Sequence, residues 1–136
     1  MQDPKILEVS SWLGKAQEDL HSAEWLLESP HELYNAVGFH CQQAAEKALK
    51  AHLSWVEQPF EKTHSLVALV GMCLPHEAAF EGLREAATNL TPYAVTTRYP
   101  GELPELSRSE VFEAIELARQ VWNFVLIRLP AETHPR

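Results

Sequence analysis

Cysteine is scarce in this chain and never paired: Cys41 and Cys73 stand alone, with no CxxC motif. That excludes a disulfide framework or a cysteine zinc site and points to a reducing compartment. Positive charge is scarce too. Eleven Lys and Arg against nineteen Asp and Glu leave a formal charge of −8, too few phosphate contacts for general nucleic-acid coating, although a local basic pocket stays open. No apolar run approaches the roughly 20 residues that cross a bilayer, and the opening MQDPKILEVSS lacks the basic and apolar segments of a signal peptide. These absences predict a cytoplasmic protein without a membrane partner. A glycine-rich phosphate loop and an acidic pair for magnesium are also missing, so no cofactor and no metal are expected. At 136 residues and 46% hydrophobic content, the chain supports one core and not two, hence one domain over 1–136.

What is present is helical periodicity. Ile6, Val9, Leu13, Ala16, Leu20, Ala23 and Leu27 recur at three- and four-residue steps, one stripe along a first helix capped by Asp3 with Pro4 in its first turn. SPHE offers Ser29 as cap, Pro30 at the first helical position and Glu32 for a capping box, so a second helix is expected from Pro30 to about Val56. The short connection makes the two an antiparallel hairpin. A short helix is expected over Ser65 to Cys73, with Thr63 or Ser65 as cap. A fourth follows from about His76 to Leu90, and a last one opens with a capping box, Ser107 to Glu110, and ends before Pro130. No segment alternates at period two. The fold class is all-α, an antiparallel up-and-down bundle of four to five helices.

The second helix carries the candidate site. At about 100° per residue, Val37, Cys41, Ala44, Ala48, Ala51 and Trp55 share one arc of about 80°, a small-residue seam that lets neighbours approach. His40, Gln43, Lys47 and Lys50 share a second arc of similar width beside it. This polar, partly cationic strip faces either a cleft or water. Glu46 and Lys50 have the spacing of a surface ion pair, and Asp19 flanks the first helix's seam as a partner for Lys47 or Arg98. Gln43 has the alternative of bonding across the bundle or a dimer interface. His52 falls near the apolar arc and reads as packed, while His64 beside Thr63 is explained by helix capping. Trp12, Trp25, Trp55 and Trp122 lie on or near apolar stripes, as core or interface. Arg98 and Tyr99 sit in TTRYPGELP, a proline-rich break between helices. There they either pin the loop or bind an anion.

FHCQQAAEKALKAHL in the second helix, KTHSL before the third, TTRYPG before the last and AQEDLHSAEWLL in the first together resemble a HEPN domain over roughly residues 10 to 128. The resemblance implies a bundle of four or five helices that forms a homodimer. It also implies pairing with a minimal nucleotidyltransferase, in what can be a toxin–antitoxin arrangement. Some branches of the family are metal-independent ribonucleases; for others nucleotide binding is proposed. The ribonuclease motif is Arg, four to six residues, then His, and here Arg98 is followed by YPGELPEL with no histidine in reach. Arg128 to His134 is a formal match, but Pro130 lies inside it, in a segment expected to fray. Metal-free RNA cleavage needs a base for the 2′-hydroxyl proton and a cation for the developing charge. Arg98 supplies the second, and His64 or His40 would have to supply the first.

Three readings follow. In one, Arg98 and Tyr99 lie over His40, Gln43 and Lys47 and accept a nucleotide or phosphate, with His64 as a further candidate ligand, while the partner enzyme does the chemistry. In the second the domain is a dimeric interaction scaffold. The third keeps a ribonuclease with a rearranged histidine. By analogy with toxins of this type, Tyr99 is the candidate acceptor of a nucleotidyl group.

Overall fold

The computed structural model describes residues 3–94 and 105–136. Helix α1 spans Pro4–Leu27. Asp3 accepts a hydrogen bond from the Lys5 amide at 2.8 Å, and Pro4 fills the first helical position, where its missing N–H costs nothing. The stripe from Ile6 to Ala23 is buried, and Asp19 is buried with it.

Helix α2 spans Tyr34–Trp55, so the start expected at Pro30 lies four residues too early. The Ser29 hydroxyl accepts from the His31 amide at 3.2 Å and the Leu33 amide bonds the His31 carbonyl. These groups are committed to turns, and no side chain caps the helix. Its other end is well made. The Gln58 amide reaches the Leu53 carbonyl and the Glu57 amide that of Ser54, with Glu57 at φ 57° in the left-handed position that a glycine usually occupies.

Ser65 caps helix α3, Leu66–Cys73, by accepting from the Ala68 amide. The long fourth helix expected from His76 is divided. The His76 and Glu77 amides close α3 on the Cys73 carbonyl, Glu77 is extended, and a 3₁₀ turn over Ala78–Leu83 leads into a shorter α4, Arg84–Leu90. Another 3₁₀ turn, Thr91–Ala94, follows. Helix α5, Arg108–Leu126, opens with the expected Ser107–Glu110 capping box. Among the described residues there are five α-helices, joined by short 3₁₀ turns and loops, and no strand.

Helix α2 is the axis of the bundle, packed by α1, α3, α4 and α5. Its small residues explain how. Cys41, Ala44, Ala45, Ala48 and Ala51 are at most 1% exposed, so neighbouring backbones come close on several sides. Leu13, Leu49, Leu53, Phe80, Leu90, Val111 and Val125 fill the core. Gly38 marks the tightest approach: a Cβ there would lie 2.6 Å from Leu106 Cδ1 and 3.3 Å from the Tyr93 ring. Both cysteines are free and buried, and burial pushes each thiol up to about 12, which leaves them unreactive. Trp12, Trp55 and Trp122 pack partly buried on the core, whereas Trp25 is 80% exposed and belongs to no core.

Candidate functional site

The polar face of α2 holds two clusters, each built on a carboxylate, a lysine and a histidine. In the first, Asp19 of α1 faces His40 and Lys47. One carboxylate oxygen is 2.8 Å from His40 Nδ1 and the other accepts from Lys47 Nζ at 2.5 Å. The cluster sits at the rim, with the His40 and Lys47 side chains 29% and 24% exposed. Asp19 is therefore the partner of Lys47, as its place beside the seam suggests.

The second cluster corrects the sequence reading. Glu46 and Lys50 are not a surface pair: they are bonded at 3.0 Å with side chains only 5% and 9% exposed. The segment after α2 covers them, and Lys50 Nζ lies 5.6 Å from the Trp12 ring centre and 5.8 Å from that of Phe60. Lys50 thus leaves the solvated strip. Glu46 also faces His64 Nδ1 at 2.9 Å and accepts from Gln42 Nε2 at 3.1 Å. Burial alone would raise the Glu46 carboxyl, but the hydrogen bonds from His64, Lys50 and Gln42 outweigh it and hold the group below its ordinary value. Gln43 donates to the Gln42 amide oxygen at 2.6 Å, so its amide is bonded within this chain to the Glu46 cluster.

His64 is not explained by capping. Ser65 caps α3, and Thr63 accepts from the Ser65 amide, while the His64 ring turns to Glu46 and stays 72% exposed. Its carbonyl accepts from Gln42 Nε2 at 2.9 Å. Gln42, fully buried and central to this network, does not stand out in the sequence as a site residue. The available sign is a glutamine four residues before Glu46 and eight before Lys50.

Arg98 and Tyr99 lie outside the described residues. The formal Arg-to-His match at the C-terminus is tied down and not frayed. Arg128 bonds Glu77 and the Phe124 carbonyl and stacks 3.5 Å from the Phe124 ring centre. His134 Nε2 meets the Leu129 carbonyl at 2.9 Å. His52 is packed as expected: 5% exposed, its ring 4.6 Å from that of Phe80, with neither ring nitrogen bonded among the described residues. Burial drives its pKa down to about 4.

A cleft of about 480 Å³ lies between α1 and α5, lined by Trp25, Glu24, Glu28, Ile115 and Arg119 among others. It shares no residue with the polar face. Among the described residues no group of three or more His, Cys, Asp or Glu is placed to hold a metal ion, and no helix is long and apolar enough to cross a membrane.

The family model of the HEPN domain matches residues 9–128. The chain belongs to the HEPN family. Two solved structures are similar to this HEPN chain. TT1696 from Thermus thermophilus is 33% identical, with a TM-score of 0.75 over 89% of this chain and 98% of its own. ST0689, described as an archaeal HEPN homologue, is 26% identical, with a TM-score of 0.70 over 88% of this chain and 96% of its own. No curated protein matches. The all-α bundle expected from periodicity is thus also the fold of HEPN relatives, and both clusters on α2 fall inside the matched span.

Proposed function

We propose that this HEPN protein binds a nucleotide or phosphate on the polar face of α2 and acts in the cytoplasm as the homodimeric partner of a minimal nucleotidyltransferase, in a toxin–antitoxin-like or accessory role. The observation that carries the reading is the Asp19–His40–Lys47 cluster, where one carboxylate holds an imidazole and an ammonium side by side at a half-open rim. An ammonium has three donors, and Asp19 takes one of those of Lys47. Gln43 lies between His40 and Lys47 along α2, its amide nitrogen bonded to Gln42.

Arg98 and Tyr99 complete the proposed pocket, the guanidinium as a bidentate phosphate ligand and the phenol ring as a platform for a base. The ends of their connector support this. Tyr93 and Leu106 both pack at Gly38, and the Leu106 amide bonds Asn35 Oδ1 at 3.1 Å. From Tyr93, five residues reach Arg98, a span of at most roughly 17 Å, enough to reach the first turns of α2, where His40 and Gln43 lie.

Titrating the protein with ATP, other mononucleotides and RNA, beside Arg98→Ala and Lys47→Ala, tests the proposal. Saturable nucleotide binding that weakens at least tenfold in both variants is expected, since a charged hydrogen bond contributes about 1.5–3 kcal/mol. RNA cleavage would move the assignment to the ribonuclease reading.

A second reading is a dimeric interaction scaffold, favoured by Trp25 at 80% and Phe112 at 43% exposure, with Trp25 beside the α1–α5 cleft. No binding of any nucleotide would select it. A light-scattering mass of one chain at micromolar concentration would remove the homodimer from both.

A further inference from the structure

The pocket built on Asp19, His40 and Lys47 does not need His64, a further candidate ligand by sequence and the more exposed imidazole of the two. His64 stands just before the cap of α3 with its ring 72% exposed, yet its Nδ1 is fixed 2.9 Å from a carboxylate that is itself 5% exposed. Its backbone is fixed as well. Gln42 holds the His64 carbonyl, and the next turn is tied to the bundle by the Leu66 amide on Thr91 Oγ1 at 3.2 Å.

The tautomer follows from the partner. Glu46 is held ionised by His64 itself, Lys50 and Gln42, so it can only accept, and Nδ1 carries the hydrogen. In the neutral ring the lone pair is then on Nε2, in a side chain that is 72% exposed and with no bonded partner for that nitrogen among the described residues. A purely structural histidine has no need of this arrangement. Burying a Glu–Lys pair is costly, and here the buried pair serves to orient a ring that remains in solvent. A buried carboxylate that fixes Nδ1–H and presents Nε2 is how proteins prepare an imidazole to react at Nε2.

We propose that His64 Nε2 is a phosphoryl acceptor, forming a phosphohistidine with small activated phosphoryl donors of the phosphoramidate or acyl phosphate class. The Nε2 lone pair attacks phosphorus and the Nε2–P bond forms as the P–N or P–O bond to the leaving group breaks. Ammonia leaves with a proton from solvent, or the acyl group leaves as carboxylate. The ring becomes cationic and keeps its Nδ1–H on Glu46, whose negative charge lies against it, so no proton has to leave the protein. His31 and His76 provide internal references: His76 Nε2 meets the neutral Gln58 amide at 3.0 Å, and the polar contact at His31 is made by its backbone amide on Ser29.

The test is labelling of the intact protein with phosphoramidate at neutral pH, followed in time by site-resolved mass spectrometry of the acid-labile product. His64 is expected to label roughly 10- to 100-fold faster than His31 and His76, the weight that an orienting partner carries for metal-ligating histidines. In the double variant Glu46→Gln/Lys50→Met, which removes the carboxylate without stranding a buried charge, the rate should fall to theirs, with folding verified by thermal melting. Labelling of His64 no faster than the two references in the unaltered protein overturns the proposal, as does an unchanged rate in a folded double variant. The assay contains no nucleotide, so its failure and that of the nucleotide reading are distinct results.

Discussion

The two clusters on α2 each join a carboxylate, a lysine and a histidine and differ in depth. Around Asp19, the histidine and lysine are both partly open to water and the carboxylate comes from another helix. Around Glu46, the ion pair lies within one helix and is sealed, while the histidine is the open member. Depth decides what each can do. A rim cluster can exchange partners with an incoming anion at low cost, because water already solvates it. A sealed one cannot release its carboxylate without stranding Lys50, so it serves as a rigid support for whatever it holds at the surface.

The largest expected effect comes from breaking the sealed cluster. Glu46→Ala removes the partner of a cation that is 9% exposed, and the loss should be about 3–5 kcal/mol, the range for a buried pair broken on one side. Chemical denaturation measures it. Replacing both members, Glu46→Gln with Lys50→Met, should recover most of the loss. If the single variant costs no more than a surface pair, the contrast in depth has no energetic meaning.

His52, on the same helix, shows what an imidazole does there with no carboxylate bonded to it. Its native value of about 4 lies below the ordinary 6.5, so the native state favours the neutral ring. Above pH 6.5 both states are neutral and nothing is lost. As pH falls from 6.5 to 4 the unfolded chain binds a proton that the native state refuses, and stability drops, by roughly 3 kcal/mol at 1.36 kcal/mol per unit. His52→Leu should flatten this part of the pH profile. Denaturation midpoints at several pH values, for both proteins, decide it.

What is legible in the sequence divides along the same line. The stripes of α1, α2 and α5 and the Ser107 capping box are legible because each involves residues close together on one helix. Asp19 is legible only as a polar residue flanking the seam of α1, with its partner left open between Lys47 and Arg98. The burial of Lys50 is not legible. On a helical wheel it shares the arc of Lys47, and only the packing of Trp12 and Phe60 beside it turns it inward. Helix α2 starts later than its pattern predicts because Ser29 closes a turn on His31 where a capping box is expected. The fourth helix is shorter than expected: Glu77 is extended and bonded to Arg128, and the Phe80 ring packs on His52 and Phe124, contacts that a local pattern does not encode. Capping is the natural local reading of His64, since nothing in the sequence reveals that Glu46, eighteen residues earlier, faces it.

Gly38 gives a smaller effect and tests the anchor between the connector and α2. In a helix interior, replacing glycine usually gains up to about 1 kcal/mol. That gain is expected for Gly14→Ala, where a Cβ meets nothing within 4 Å. At Gly38 a Cβ would meet Leu106 at 2.6 Å and the Tyr93 ring at 3.3 Å, so Gly38→Val should lose about 1–3 kcal/mol by overpacking. Opposite signs at the two glycines in thermal melts would establish that the chain on both sides of the connector is pressed onto α2.

The smallest effect belongs to the rim. Asp19→Ala removes the shared partner of His40 and Lys47 in one step. Yet both released groups already touch water and can be solvated where they stand, so the cost should be about 1 kcal/mol. It should also shrink in high salt, which screens exposed charges far more than buried ones. The contrast in depth therefore becomes a difference of differences: raising salt should narrow the gap between the unaltered protein and Asp19→Ala, and leave that of Glu46→Ala nearly unchanged. Equal salt sensitivity of the two variants in denaturant titrations would mean that the Lys50 pair is as wet as the Lys47 pair, and the case for a rigid support beneath His64 would go with it.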